Sequence, residues 1–468
     1  MKRSLPRGWA PHGTVYNGWF VTSTADQNRL RRTLGLWDLI LYGVIVIQPV
    51  APMSVFGVLS DRGRGHVVTT ILIAMVAMLF TAISYGKMAR AYPSAGSAFT
   101  YVGQEINPAL GYITGWSMVM DYMLNPIICI VWVSQQAHAF APAVPYAGWA
   151  VLIALLFTGL NIQGIKTSAR MNTGLAAAMG VVIAIFFTCA ARYIFGHPHG
   201  GAGFFTRPFY DPATFTAGGV VGGASIAVLT YIGFDGISTL SEEAENPRRN
   251  ILLATVLTCV VIGILSAMEV YAAQLVWPAS QPFPDEATAI THVAGRMWPP
   301  LFAIVGATLV VANFGSGMGA QLGAARLLFG MGRSNALPKS FFGAVDPKRR
   351  IPRNNVIFVG AVSLAGAFTI SYALGAEMLN FGALIAFMGV NAAAFVRYYV
   401  RAEKKQLRNL IPPLLGFAVC LLLWLSLSRT AQIAGSIWMA AGIAFGAWKT
   451  RGFQGDLVDF EIPADDEG

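Results

Sequence analysis

The stretch TYIGFDGISTLSEEAENP, from Thr230 to Pro247, decides how the chain is built. It begins as the inner end of an apolar helix, breaks at Gly233-Phe234-Asp235-Gly236, and resumes as a short polar helix ending in Glu242 and Glu243. A spanning helix that exposes an acid and loosens its backbone between two glycines is costly in lipid, where each unpaired N–H or C=O costs several kcal/mol. That cost points to a binding site.

Outward from this stretch, the composition fixes the solvent. The chain has 468 residues, 55% hydrophobic and only 12% charged, with a mean hydropathy of +0.57. A soluble domain of that length is excluded, and an all-α integral membrane protein is expected. About twelve stretches approach the roughly 20 apolar residues that a spanning helix needs. They run near 35–60, 67–91, 111–140, 147–165, 174–195 and 217–240, then 251–276, 300–332, 355–374, 377–400, 411–427 and 431–448.

Charge sets the expected orientation. Most of the 32 Lys and Arg fall in the N-terminal tail 1–33 and on the side of the loops that shares its face, including Lys348-Arg349-Arg350 and the run Arg397 to Arg408. Positive loops stay inside, so both termini are expected in the cytoplasm and the basic clusters at anionic lipid headgroups. The net charge of +10 is thereby accounted for without nucleic acid. Residues 1–33 lack the apolar core of a signal peptide and read as a cytoplasmic tail; 451–468 read as an acidic one.

Several chemistries drop out. Cys129, Cys189, Cys259 and Cys420 lie in apolar runs without paired or ligand spacing, and the six histidines form no cluster. No phosphate loop or nucleophile elbow is present. An enzyme, a metal site, a cofactor and nucleotide power are therefore not expected, and an intramembrane channel would need a continuous polar lining that the sequence lacks. The only small partner expected besides substrate is a coupling ion, a proton or sodium.

The break in the sixth segment has a counterpart. Gln48-Pro49-Val50-Ala51-Pro52 interrupts the first segment, five segments earlier, and an odd offset reverses direction in the membrane. Segments one to five and six to ten, about 35–196 and 217–401, are thus expected to be inverted repeats whose broken helices meet at midplane, with 411–448 as two extra helices. Pro49 and Pro52 each remove an N–H, which leaves the turn around Val50 and Ala51 rich in acceptors and poor in donors.

Other polar groups at depth are few. At helical spacing Asp235, Ser238, Thr239 and Glu242 share one face, an acidic stripe that would guide a cation inward; alternatively Glu242 and Glu243 pair with Arg248 and Arg249 in the headgroups. Asp121 and Tyr122 sit near the middle of segment three, where the acid must face a cavity or a partner and the ring either packs over an ammonium or fills space. Glu269 in segment seven reads more readily as interfacial than as a proton-titrating acid. Asn313, Ser316 and Gln321 read as close helix packing.

Four motifs carry a family resemblance. SYGKMARAYPSAGSAFTYV (Ser84 to Val102) with NPALGYITGWSMVMDY (Asn107 to Tyr122), GFDGISTLSEEAENP (Gly233 to Pro247), RLLFGMGRSNALP (Arg326 to Pro338) and NFGALIAFMGVN (Asn380 to Asn391) resemble, in order, the signatures of the amino acid-polyamine-organocation permeases. The resemblance spans about Arg31 to Arg451 and is strongest to bacterial putrescine importers. It implies a leucine-transporter-type fold of 5+5 inverted repeats with helices 1 and 6 broken, in one permease domain over 34–450. It also implies that Tyr122 and a glutamate of the Glu242-Glu243 pair contact a diamine, with Phe234 as an aromatic gate. Relatives that hold a carboxylate on backbone amides use glycine at the first break; QPVAP has none, which tilts the substrate towards a cation. Some proton-coupled relatives place a lysine midway along the fifth helix, where this chain has Met179.

The expected function is a secondary active transporter importing an amine-bearing solute, amino acid or polyamine. Proton coupling through Asp121, Asp235, Glu243 or Glu269, sodium coupling and exchange stay open, as does a sensor that binds without flux.

Overall fold

The computed structural model describes residues 34–92, 97–163, 169–198, 201, 203–241, 244–333, 337–347, 349, 351–450 and 452. The tails 1–33, 451 and 453–468, Glu242, Glu243, and the loop residues Lys348 and Arg350, of which expectations were stated, lie outside the described residues. Among those described the chain is almost wholly helical, its one β feature being an isolated parallel bridge between Leu34 and Ala244.

The first span is two helices, α1 (Leu36–Ile47) and α2 (Ala51–Arg62), bent by 48°. There follow α3 (Val67–Ala91), a short α4 (Ser97–Glu105), α5 (Pro108–Phe140), α6 (Tyr146–Gln163) and α7 (Ala169–Gly196). The second half opens with α8 (Ala217–Ala227) and 3-10 turns over Val228–Tyr231 and Phe234–Leu240. It continues with α9 (Pro247–Val276), α10 (Ala289–Met297), α11 (Pro299–Arg333), α12 (Lys339–Phe342), α13 (Arg353–Thr369) and α14 (Tyr372–Phe395), whose end widens into a π turn over Val396–Val400. The last two are α15 (Leu407–Leu425) and α16 (Arg429–Lys449).

Among the described residues, 10 helices are long and apolar enough to cross a membrane, or up to 11 with the bent pair α1–α2. The remaining expected span, the ninth, is α13, which has 17 residues. At about 1.5 Å per residue it covers about 25 Å, slightly less than a bilayer core. Close approach of helices rests on small residues, as membrane packing requires. Gly86 of α3 lies on Leu252 of α9, Gly317 of α11 on Cys129 of α5, and Gly360 of α13 on Thr158 of α6.

Polar contacts fasten the two ends of the bundle. On the basic side, Glu105 of α4 is 1% exposed and is gripped by Arg397 and by Arg401, the latter at 2.9 Å. Tyr92 donates to the same carboxylate at 2.7 Å, and Arg397 stacks over its ring at 5.0 Å. Burial and then Glu105 push the Tyr92 hydroxyl up to about 12, so it keeps its proton at any physiological pH. On the opposite side Glu377 of α14 pairs with Arg62 of α2 at 3.6 Å and accepts from the Ser428 amide at 2.8 Å. There, too, the buried His66 bridges the Gly63 carbonyl and the Asp211 amide, stapling the 203–216 loop over the turn between α2 and α3.

Candidate binding site at two broken spans

The first break is a single turn. Gln48 closes α1 by donating its amide to Val44 at 3.1 Å, Ala51 donates back to Gln48 at 3.0 Å, and Gln48 itself sits at φ 68° and ψ 119°. Pro49 and Pro52 explain why α1 stops: neither can supply the N–H that would continue it. Asn313 of α11 donates to Ser54 at 3.1 Å, and Gln48 Nε2 donates to the Ala312 carbonyl at 2.7 Å, so both halves of the span are held by one helix. Asn313 is thus a tie between helices. Gln321, likewise expected to serve packing, donates to Thr158 at 2.9 Å and accepts from Asn161.

The second break is longer than the sequence suggests. The regular helix ends at Ala227, and Ile232-Gly233 forms a turn with Gly233 at φ 119°, a backbone open to glycine and rarely to any other residue. The polar half-helix expected after it is a 3-10 turn over Phe234–Leu240, not an α-helix. With three residues per turn, Asp235 and Ser238 line up, and Ser238 donates to the Asp235 carbonyl at 2.6 Å. The side chain of Thr239 and both Glu242 and Glu243 lie outside the described residues, so only the upper part of the expected stripe is seen.

The breaks meet. A Cβ on Gly233 would come within 3.2 Å of the Ile47 side chain and 3.5 Å of its amide nitrogen. Gly43 lies on Ile237, and the Leu34 carbonyl accepts from Glu245 at 2.8 Å. From Gly43 to Ile47, α1 therefore runs antiparallel to residues 233–237 of the sixth span. In the other halves, Gly63 after α2 lies on Gly223 of α8.

The expected site residues distribute around this junction. Asp235 is half-buried, with one carboxylate oxygen accepting from the Gly233 amide at 3.2 Å. Asp121 and Tyr122 on α5 are half-buried and close enough to feel its charge. Tyr122 lies against Gly323 of α11, where a Cβ would come within 3.1 Å of the ring. Val50 is buried and Ala51 half-buried at the first break. Phe234 is fully buried, its ring 5.5 Å from Tyr85 and 5.2 Å from Phe387. Glu269 stands apart from these contacts and corrects the interfacial reading: it is 0% exposed, and neither carboxylate oxygen has a hydrogen-bond partner. A position near the end of a span looks interfacial in sequence, but here neighbouring helices cover it.

Four residues near the junction were not singled out from sequence. Tyr85 and Tyr101 are fully buried, with the Tyr85 ring 5.5 Å from Phe234 and 6.1 Å from Tyr101. Ser97 meets Ser238 at 3.3 Å, joining α4 to the second break. Gln48 is the fourth. Tyr85, Tyr101 and Ser97 lie inside a quoted motif and Gln48 opens the first break, but nothing local in the sequence marks their side chains. Among the described residues no group of His, Cys, Asp and Glu is suited to hold a metal.

A profile of the family described as amino acid permease matches residues 51–460. The low-affinity putrescine importer PlaP of Escherichia coli (strain K12) is 34% identical, covering 94% of this chain and 98% of that protein. The branched-chain amino acid permease BcaP of Bacillus subtilis (strain 168) is 25% identical over 90% of this chain and 94% of its own length. The vacuolar cationic amino acid transporter 4 of Arabidopsis thaliana is 26% identical, over 80% of this chain and 64% of its own length.

Proposed function

Since the chain belongs to the amino acid permease family, it is a membrane transporter and not an enzyme, and we propose that it imports a small cationic amine, such as putrescine, or an amino acid. The observation that carries this reading is the junction at Ile47 and Gly233, with the carboxylate of Asp235 beside it. Discontinuous helices that meet inside a bundle expose backbone carbonyls and helix ends where a solute can replace water. The first break contributes acceptors around Val50 and Ala51, Asp235 the charge that an ammonium seeks, Tyr122 an aromatic face, and Phe234 a lid of packed rings. Glu243, with Glu242, extends the acidic path towards the cytoplasm.

Alternating access between inverted repeats, about 35–196 and 217–401, is the mode of transport. Pairing of helices five spans apart supports it: α1 and α2 lie on the sixth span, α3 on α9, α5 on α11, and α6 on α13. Coupling is to protons, with Asp121, Asp235 and Glu269 as the acids within the bundle that can carry them. The basic face, with both termini, is cytoplasmic.

The test is uptake into proteoliposomes of labelled putrescine and a panel of amino acids, with and without an inward proton gradient. Saturable putrescine uptake, stimulated by the gradient and competed by other diamines, is expected. Uptake competed only by carboxylate-bearing amino acids would overturn the diamine assignment, and uptake indifferent to the gradient would overturn the coupling.

A further inference from the structure

The turn that separates α1 from α2 poses a physical question that the substrate reading leaves open. Gln48 occupies φ 68°, a left-handed backbone that a residue with a Cβ rarely takes and that surrounding contacts must sustain. Glycine would be the cheap choice at such a position, yet the chain places a glutamine there. Its side chain shows what is gained. Nε2 donates to the Ala312 carbonyl of α11 at 2.7 Å, across 264 positions of sequence.

We infer that Gln48 is a positioning residue of the amine site, whose side-chain amide ties the unwound turn to α11 and so fixes the backbone that carries Val50 and Ala51. This rests on the proposed site at the two breaks. The neighbouring residue of α11, Asn313, grips Ser54 of α2 at 3.1 Å, so adjacent positions on one helix set both the turn and the half-helix after it. On the other flank, Gly233 holds the Ile47 backbone in place. The turn is therefore located from two sides, and the Gln48 tether is the side made by one replaceable hydrogen bond. Without it the carbonyls of the break are free to reorient, and an amine loses part of its ordered acceptor set.

The experiment compares wild type with Gln48→Ala and Gln48→Gly in proteoliposomes, measuring KM, maximal rate and thermal unfolding. Both variants are expected to raise KM about tenfold, the effect of one lost hydrogen bond, while maximal rate falls less. Gln48→Gly is further expected to unfold at or above the wild-type temperature, because glycine takes φ 68° without strain. A stable protein with weakened binding is the signature of positioning, since a merely structural role would move KM and stability together. Unchanged KM in Gln48→Gly, or KM values that track unfolding temperature across the variants, would overturn the inference. The comparison uses whichever of putrescine or the amino acids the wild type takes up. A wrong substrate assignment then shows in the wild type itself, and a wrong role for Gln48 only in the variants.

Discussion

At the scale of single residues, Asp235 and Gly233 divide the work of the second break between charge and shape. Removing the charge without changing the volume, as in Asp235→Asn, is expected to lower cation uptake on the order of tenfold or more, with membrane insertion unchanged. Glu243→Gln is expected to act in the same direction. Wild-type uptake by both variants would remove the acids from the pathway. Gly233→Ala puts a Cβ into φ 119° and against Ile47, and should cost about 1–3 kcal/mol, read as a lower unfolding temperature. On the face opposite the basic one, burial and the charges of Asp61 and Asp285 push the Glu286 carboxyl up. A raised carboxyl favours the folded state when protonated, so its contribution is present in acid and lost as pH rises through the folded-state value. Glu286→Gln should therefore unfold at a higher temperature than wild type at neutral pH, and the gap should close in mild acid.

At the scale of elements, what could be read from sequence depended on how local the cause was. Prolines 49 and 52 stop a helix by their own chemistry, so the first break was legible where it occurs; glycines 233 and 236 marked the second, whose regular helix already ends at Ala227. The spans were legible for the same reason, α3 to the residue. Two short helices, α4 and α10, were not, because nine residues cannot declare an apolar period against the long runs beside them. Nor was the 3-10 form of Phe234–Leu240, or the tie from Gln48 to α11, since each is imposed by a neighbour distant in sequence. The same holds at the basic face, where α4 is secured through Glu105. Glu105→Ala should cost about 2–3 kcal/mol, less than a fully buried pair because Arg397 and Arg401 are 38% and 58% exposed. Thermal unfolding in detergent would measure it, and a loss within about 0.5 kcal/mol would class the contact with ordinary surface pairs.

At the scale of the whole molecule, α14 is fastened at one end to α2 through Arg62 and at the other to α4 through Glu105. In the two broken spans, α1 and the 234–240 turn are fastened to each other instead. Leu34 meets Ala244, Gly43 receives the Ile237 side chain, and Gly233 seats the side chains of Val46 and Ile47. Side chains seated on glycines resist the sliding of one piece past the other. The two pieces form a single paddle, and a carrier with 10 or up to 11 spans among its described residues has fewer independent parts to coordinate. Spin labels on α1 and on the 234–240 turn should keep one separation with and without substrate, and a separation that changes would split the paddle.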